Sequence, residues 1–199
     1  MNRKLIVGIG NPGEEYAATR HNVGARVVDR FCLLLHGTWK KEKKLSSTLC
    51  VINQLGYTLI LAKPDVYVNE SGSAVQKICQ FYKIPIEDVI IIYDDVAFDV
   101  GDFRLSIQSG TGGHNGVADI LSHIGPGFVR FRVGVGPKHF LDLKDHVLGR
   151  FTEAEEGILA HILPEILCDL QLLLDKGPEY SMNLTNRKKN YEQQEKLQG

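Results

Sequence analysis

Charge of one sign is what this chain lacks most plainly: 23 lysines and arginines meet 24 aspartates and glutamates, a formal net charge of −1 over 199 residues. Such a balance exerts no long-range pull on a polyanion, so a nucleic-acid partner would have to be met by a local basic patch. Paired cysteines are also missing. Cys32, Cys50, Cys79 and Cys168 stand 18, 29 and 89 residues apart, without the CxxC spacing of a zinc ribbon or a redox motif. After Arg3-Lys4 come only the apolar-leaning residues Leu5 to Ile9, broken by Gly8, too short for a signal peptide's apolar region. No run approaches the ~18 consecutive apolar residues of a membrane span. The expectation is a soluble, cytoplasmic protein with reduced thiols and no membrane partner. The seven histidines form no HExxH pair, and the Gly-Lys-Ser/Thr of a P-loop is absent, so neither a catalytic metal nor triphosphate hydrolysis is supported.

What is present is ordinary globular composition, 43% hydrophobic and 24% charged, with an excess of glycine at 20 residues. At this length one domain is the default, and a single core can bury around 70% of the unfolded chain's surface. Leu5 to Ile9 reads as a central strand, and Val23, Val27, Val28, Phe31, Leu34 and Leu35 recur at helical spacing up to a stop at Gly37. Thr48–Asn53 and Tyr57–Ala62 read as a hairpin, and Ala74 to Tyr82 as a helix ended by Pro85. Val89–Tyr93 reads as a buried strand running into Asp94-Asp95. Phe103–Ile107 and Arg130–Gly136 are further strands around a short helix, Asn115–Ile124. Thr152-Glu153-Ala154-Glu155 has capping-box spacing and opens a long apolar-striped helix to Leu174, which Pro164 is expected to kink or split. From Thr185 the chain turns polar, giving a domain over 1–184 and a frayed tail over 185–199. Strands alternating with helices, plus a hairpin, define the fold class: a single α/β domain with a mixed, twisted β-sheet flanked by helices.

The glycines fall in three clusters. Gly8-Ile9-Gly10-Asn11-Pro12-Gly13 matches the dinucleotide fingerprint GxGxxG, which would make the chain a nicotinamide- or flavin-dependent oxidoreductase. The fingerprint needs its third glycine inside a helix, and here the helical pattern starts only near Asn22. Asn-Pro-Gly is turn chemistry. A turn alone leaves unexplained why Asn11, Arg20, His21 and Asn22 share one loop beyond a strand's C-terminal end, where α/β sites form. In Lys63 to Gly72, Asn69 and Ser71 could simply cap the next helix, whereas Tyr67 has polar neighbours and is not core material. Ser109 to Gly116 leads into a helix N-terminus, suited to a phosphate or a carbonyl oxygen, or else serves as a hinge. His36, His123, His139, His146 and His161 read as surface or structural. Trp39 amid Lys40, Lys41, Lys43 and Lys44 is a solvated basic face, or more sharply a base-stacking platform.

Taken together, these stretches resemble the bacterial peptidyl-tRNA hydrolase family. Tyr16, Thr19-Arg20-His21-Asn22, Lys63-Pro64, Asn69-Glu70-Ser71-Gly72, Asp94-Asp95, Gly112 to Gly116, Arg130 to Gly136 and Asp145 to Gly149 hold the family's order and spacing over roughly residues 3–184. The resemblance implies a monomeric, metal-independent esterase without cofactor, whose partner is peptidyl-tRNA gripped by its acceptor end. It implies cleavage of the ester between a nascent peptide and the 3′ ribose of tRNA released from ribosomes. It makes His21 the general base, with Asp94 orienting it. It makes Asn11 the discriminator of N-blocked substrate, with Asn69 and Asn115 also holding the peptidyl end. Tyr16 and Tyr67 would line the tRNA 3′ end, and Arg104 and Arg132 would bind tRNA. Departures are Val68 for a usual methionine, Ser109 for a glycine, and Ser106 and Ala118 for frequent basic residues, leaving the grip to Arg104, Arg130, Arg132, Lys138 and Lys144. The remaining alternatives are the oxidoreductase and a non-enzymatic tRNA-binding module.

Overall fold

A computed structural model describes residues 2–54, 56–107, 110–136 and 143–186. Seven strands form one sheet in the order β2-β3-β4-β1-β5-β7-β6, with β1 Asn2–Gly8, β2 Lys40–Glu42, β3 Ser47–Gln54, β4 Tyr57–Pro64, β5 Val89–Asp95, β6 Phe103–Ser106 and β7 Val129–Gly134. β4, β1, β5 and β7 run parallel, while β2, β3 and β6 run antiparallel to their neighbours. The central strands β1 and β5 are apolar on both faces, as a doubly covered parallel strand must be. Leu5, Val7, Ile91 and Tyr93 join the core cluster around α2 (Ser71–Tyr82) and α3 (Asn115–Ile124). Ile6, Ile90 and Ile92 join the opposite cluster around α1 (Val23–Leu34) and α5 (Glu153–Lys176).

The chain leaves β1 toward β4 on one side and reaches β5 on the other, so the strand order reverses between β1 and β5. In an open α/β sheet a crevice forms at such a point, beyond the carboxyl ends of the strands. The loops after Gly8 and Asp95 open there, and α4 (Leu143–Leu148) lies over them.

Several local expectations need correction. In α1, Leu34 is 54% exposed and Leu35 packs on the core instead, because the inward face follows Val27, Val28, Phe31 and Cys32. The left-handed residue ending this helix is His36 (φ 53), not Gly37. Gly37 is required by contact: a Cβ there would stand 2.4 Å from the Cys50 sulfur and 3.0 Å from that of Cys32. Lys40–Glu42, expected as a solvated face, is the edge strand β2. Trp39 is half-buried against the core, with the Lys63 ammonium 4.6 Å from its ring centroid, so it is no open stacking platform.

The capping box forms at Thr152 and Glu155, and α5 runs unbroken through Pro164. Both Pro164 and Ala160, whose carbonyl loses its partner to the proline, are exposed, so water takes the freed acceptor. By length and composition this helix could cross a membrane, with an 18-residue stretch of mean hydropathy 1.6. Its apolar stripe of Leu159, Ile162, Ile166, Leu170, Leu173 and Leu174 is instead buried against the sheet and α1. Thr185 and Asn186 belong to a helix over residues 178–186 rather than to a tail. The Thr185 hydroxyl donates to Asp169 at 2.8 Å, and the Asn186 amide pairs with both backbone groups of Leu105 at 3.0 and 2.8 Å. Ser109, Lys138 and His139 lie outside the described residues, as does the chain beyond Asn186.

Candidate active site

Six of the residues singled out in the sequence, Asn11, His21, Tyr67, Asn69, Asp94 and Asn115, line one crevice of about 540 Å³ beyond the ends of β1 and β5. Its remaining walls include Val68, the 111–114 loop and the apolar side of α4. The volume lies within the usual range for small-ligand clefts. Another crevice of about 320 Å³, between α1 and α5, is bordered by the Arg26–Glu156 ion pair and holds none of these residues.

Asp94 is the electrostatic centre. It is the penultimate residue of the buried strand β5 and is 3% exposed. His21 Nδ1 lies 2.9 and 3.0 Å from its two oxygens, and His114 Nε2 lies 3.0 Å from Oδ1. Burial alone would raise the carboxyl's pKa. The contacts with His114 and His21 outweigh it and hold Asp94 well below the usual carboxylate range. For His21, burial disfavours the cation, but the hydrogen bond and charge of Asp94 prevail and set its pKa above the ordinary ~6.5. With Nδ1–H donated to Asp94, neutral His21 keeps a lone pair on Nε2.

The loop carrying His21 is built rigidly. Thr19 donates to the Tyr16 carbonyl at 2.7 Å, and its backbone bridges to Arg150. Arg20 is buried: it donates to the carbonyls of Val135 (3.2 Å) and Arg150 and to Glu155 (2.6 Å), with Phe151 against its guanidinium. Asn22 clasps Asn11, accepting from its N–H and donating to its C=O, both at 2.9 Å. The Asn11 side-chain oxygen in turn accepts from Val68 N–H at 3.0 Å, which leaves its amide NH₂ for the crevice. The glycine loop is followed by two short 3₁₀ turns, Glu14–Tyr16 and Arg20–Asn22, and α1 starts only at Val23. The helix N-terminus that a dinucleotide pyrophosphate needs is therefore absent at Gly13.

Tyr16 meets Tyr67 edge-on at 6.4 Å, with Tyr67 53% exposed at the rim. Arg104 and Arg132 lie outside the crevice, opposite each other on β6 and β7, both against the Phe98 ring. Arg132 donates to Asp95, which lines the crevice, at 2.7 Å. Arg130, expected on the gripping surface, is fully buried under Phe128, and its guanidinium has no hydrogen-bond partner among the described residues. It points from β7 to the covered face of the sheet and cannot reach a surface ligand. His146 is structural, donating to the Val135 carbonyl at 3.1 Å.

The residue that the sequence left without a role is His114. It caps α3, its Nδ1 accepting from Val117 N–H at 3.2 Å. A histidine preceding the first turn of a predicted helix was the available signal, but caps are usually Ser, Thr, Asp or Asn. The donor atoms of His21, Asp94 and His114 lie within 4.8 Å of one another, as in a metal-ligand set. The same geometry fits a hydrogen-bonded cluster: facing an ionised Asp94, each imidazole nitrogen can donate a hydrogen to it, and the Val117 N–H on His114 Nδ1 favours that tautomer.

A buried carboxylate behind an imidazole, in a crevice of amides at a switch point of an α/β sheet, is an arrangement chemically able to activate a water, as hydrolase sites do. The family model described as peptidyl-tRNA hydrolase matches residues 5–194. The peptidyl-tRNA hydrolase of Lachnoclostridium phytofermentans is 39% identical over 188 residues, 92% of this chain and 97% of its own. That of Chloroflexus aurantiacus is 41% identical over 185 residues, covering 92% and 98%. The crystal structure of peptidyl-tRNA hydrolase from Acinetobacter baumannii superposes with a TM-score of 0.87 at 36% identity, covering 93% of this chain and 95% of that one. The chain belongs to the peptidyl-tRNA hydrolase family and is an ester hydrolase.

Proposed function

We propose that this protein hydrolyses the ester joining a peptide to the 3′ ribose of tRNA in peptidyl-tRNA released from ribosomes, with His21 as general base. The observation that carries the assignment is the two-pronged approach of His21 Nδ1 to Asp94 at 2.9 and 3.0 Å at the floor of the crevice. His21 Nε2 takes a proton from water as the water attacks the ester carbonyl. Asp94 holds the tautomer and stabilises the imidazolium that forms. An aminoacyl ester is already activated, so a positioned water and amide dipoles suffice, without a covalent nucleophile or a metal.

Among the described residues, Asn11 engages its side-chain oxygen with Val68 N–H and has its two amide N–H donors free, so the group it suits is a carbonyl. Both substrates carry the ester carbonyl, but only an N-blocked substrate adds an amide carbonyl beyond it, and the free aminoacyl-tRNA has an ammonium there instead. Asn69 and Asn115 take further amide groups of the peptide. Tyr16 and Tyr67 give the unpaired 3′ end an aromatic edge to pack on. Arg104 and Arg132, together with Lys144, supply cations for the acceptor-stem phosphates, and the enzyme acts as a cytoplasmic monomer.

The test is release of N-acetyl-amino acid from N-acetyl-aminoacyl-tRNA, with unblocked aminoacyl-tRNA as control. Turnover of the blocked substrate that disappears in His21→Ala supports the reading. Undiminished turnover in that variant overturns it. A tRNA-binding module would bind equally well in both forms and turn over neither substrate.

A further inference from the structure

His114 is fixed at both ring nitrogens. The Val117 amide can only donate, so Nδ1 presents it a lone pair at 3.2 Å. The proton of the neutral ring is then on Nε2, which donates it to Asp94 Oδ1 at 3.0 Å. Tyr93 stands edge-on at 5.0 Å and the side chain is only 9% exposed, so the two hydrogen bonds and this packing hold the ring in the wall of the crevice.

We propose that His114 is a positioning residue: a tautomer-locked strut that ties the Asp94 carboxylate to the first turn of α3 and shares its charge with His21. The inference rests on the assignment of His21 as base. Asp94 lies one residue before the end of β5 with His21 spanning both its oxygens, and a carboxylate free to turn about its last torsion would carry the His21 ring with it. The second donor pins that torsion. It also takes part of the carboxylate's negative charge, which limits how strongly Asp94 holds the His21 imidazolium. A base works best when its pKa stays near the operating pH, so an unshared Asp94 would leave too much His21 protonated. The other ionisable groups around the cluster are Tyr93 and Asp95 on β5, Arg132 on β7, Arg20 beside His21, and Lys144 and His146 on α4. All remain in place when His114 is replaced, so a change in His21 titration isolates the strut.

Three variants separate strut from cap. His114→Asn retains a good N-cap acceptor but is too short to reach Asp94. His114→Gln can extend an amide N–H toward Asp94, and His114→Ala provides neither group. Each is assayed for kcat and KM on N-acetyl-aminoacyl-tRNA across the pH range, for Tm, and for the NMR titration of the His21 ring. For His114→Asn we expect a near-native Tm, KM within about twofold and kcat lowered about tenfold. The acid limb and the His21 titration should both move up by about half to one pH unit. His114→Gln should recover part of the rate and of the shift. If His114→Asn keeps the native plateau and acid limb, and only His114→Ala loses rate in step with Tm, His114 is merely a cap and the proposal is overturned. Failure of the base assignment itself looks different: His21→Ala would keep its rate, and the native acid limb would not follow the His21 titration.

Discussion

Gly24 and Ile92 meet backbone to backbone: a Cβ on Gly24 would stand 2.2 Å from the Ile92 carbonyl oxygen. This approach presses the first turn of α1 onto the end of β5, and it sets His21, three residues before Gly24, against Asp94, two residues after Ile92. Gly24→Ala must push helix and strand apart. Because the obstacle is backbone, no rotamer change relieves it. We expect a loss of about 1–3 kcal/mol in stability, read as a lowered Tm, and a fall in kcat that persists well below the new Tm. An alanine variant with native Tm and native kcat would show that this contact does not position His21.

The pH dependence follows from the two shifts at the centre of the site. His21 must be neutral to act as base, so kcat/KM should rise through a pKa above ~6.5 and then level off. For stability the signs differ. The His21 contact contributes fully below the unfolded pKa of ~6.5, and the contribution fades as pH rises through the higher folded value. Asp94, held low, contributes above its unfolded value of ~3.9 and loses that contribution as the solution is acidified. Asp94→Asn keeps the volume and removes the charge. Its kcat should drop by about 10²–10⁴ with little change in KM, and a flat pH profile or an undiminished Asp94→Asn enzyme would contradict the dyad.

Arg20 was part of the motif that marked the site, yet its side chain turns away from the crevice. It holds the carbonyls of Val135 and Arg150, the Glu155 carboxylate and the Phe151 ring, joining the His21 loop to the start of α5. Lysine preserves the charge but not the fork of donors. Arg20→Lys should therefore cost about 1–3 kcal/mol of stability, with a smaller effect on KM than on kcat because the base is loosened rather than removed. Denaturant unfolding and steady-state kinetics on the same variant measure both.

The sheet was legible where physics is local. β1 and β5 announce themselves as continuous apolar runs because both their faces are covered, and the capping box at Thr152 was readable from four residues. β2 was not, since Lys40–Glu42 is an exposed edge strand stabilised by pairing with β3 rather than by its own pattern. Pro164 and Arg130 misled for a related reason: whether a proline carbonyl meets water, or an arginine is buried, depends on which face the tertiary structure covers. The crevice residues His21, Asp94, Asn11, Asn69 and Asn115 were found as motifs, but their convergence depends on strand order. His114 escaped because its two bonds join a loop to a strand twenty residues away.

Prolonged chelation should leave turnover unchanged. The nitrogens that face Asp94 each donate a hydrogen to it, and His114 could offer Nε2 to a cation only by surrendering its bond to Val117. A metal would have to shift both imidazoles to the other tautomer and break the helix cap as well. Activity lost to EDTA and restored by zinc or magnesium would show that this hydrogen-bonded arrangement is not the working one.

The departure at Ser106 bears on substrate grip. Ser106 pairs with Arg130 across β6 and β7, two residues from Arg104, which pairs with Arg132. With Arg130 buried, the cations expected on this edge of the sheet reduce to Arg104, itself only 9% exposed and donating to the Phe103 carbonyl, and Arg132, which shares its charge with Asp95. A chain of net charge −1 has little general field to compensate. Each cation that neutralises a phosphate adds to the salt dependence of binding, with a slope of about −0.9 on a duplex and −0.7 on a single strand. Ser106→Arg should therefore lower KM for full-length N-acetyl-aminoacyl-tRNA and steepen the dependence of log KM on log salt by about one contact's worth. Crowding beside Arg130 sets like charges opposite each other, so a small drop in Tm is expected as well. Chemistry at His21 should be unaffected, leaving kcat as in the parent. A minimal substrate carrying only the terminal adenosine has no acceptor stem, and its KM should not respond. An unchanged salt slope, or an equal gain on the minimal substrate, would place Ser106 off the path of the tRNA.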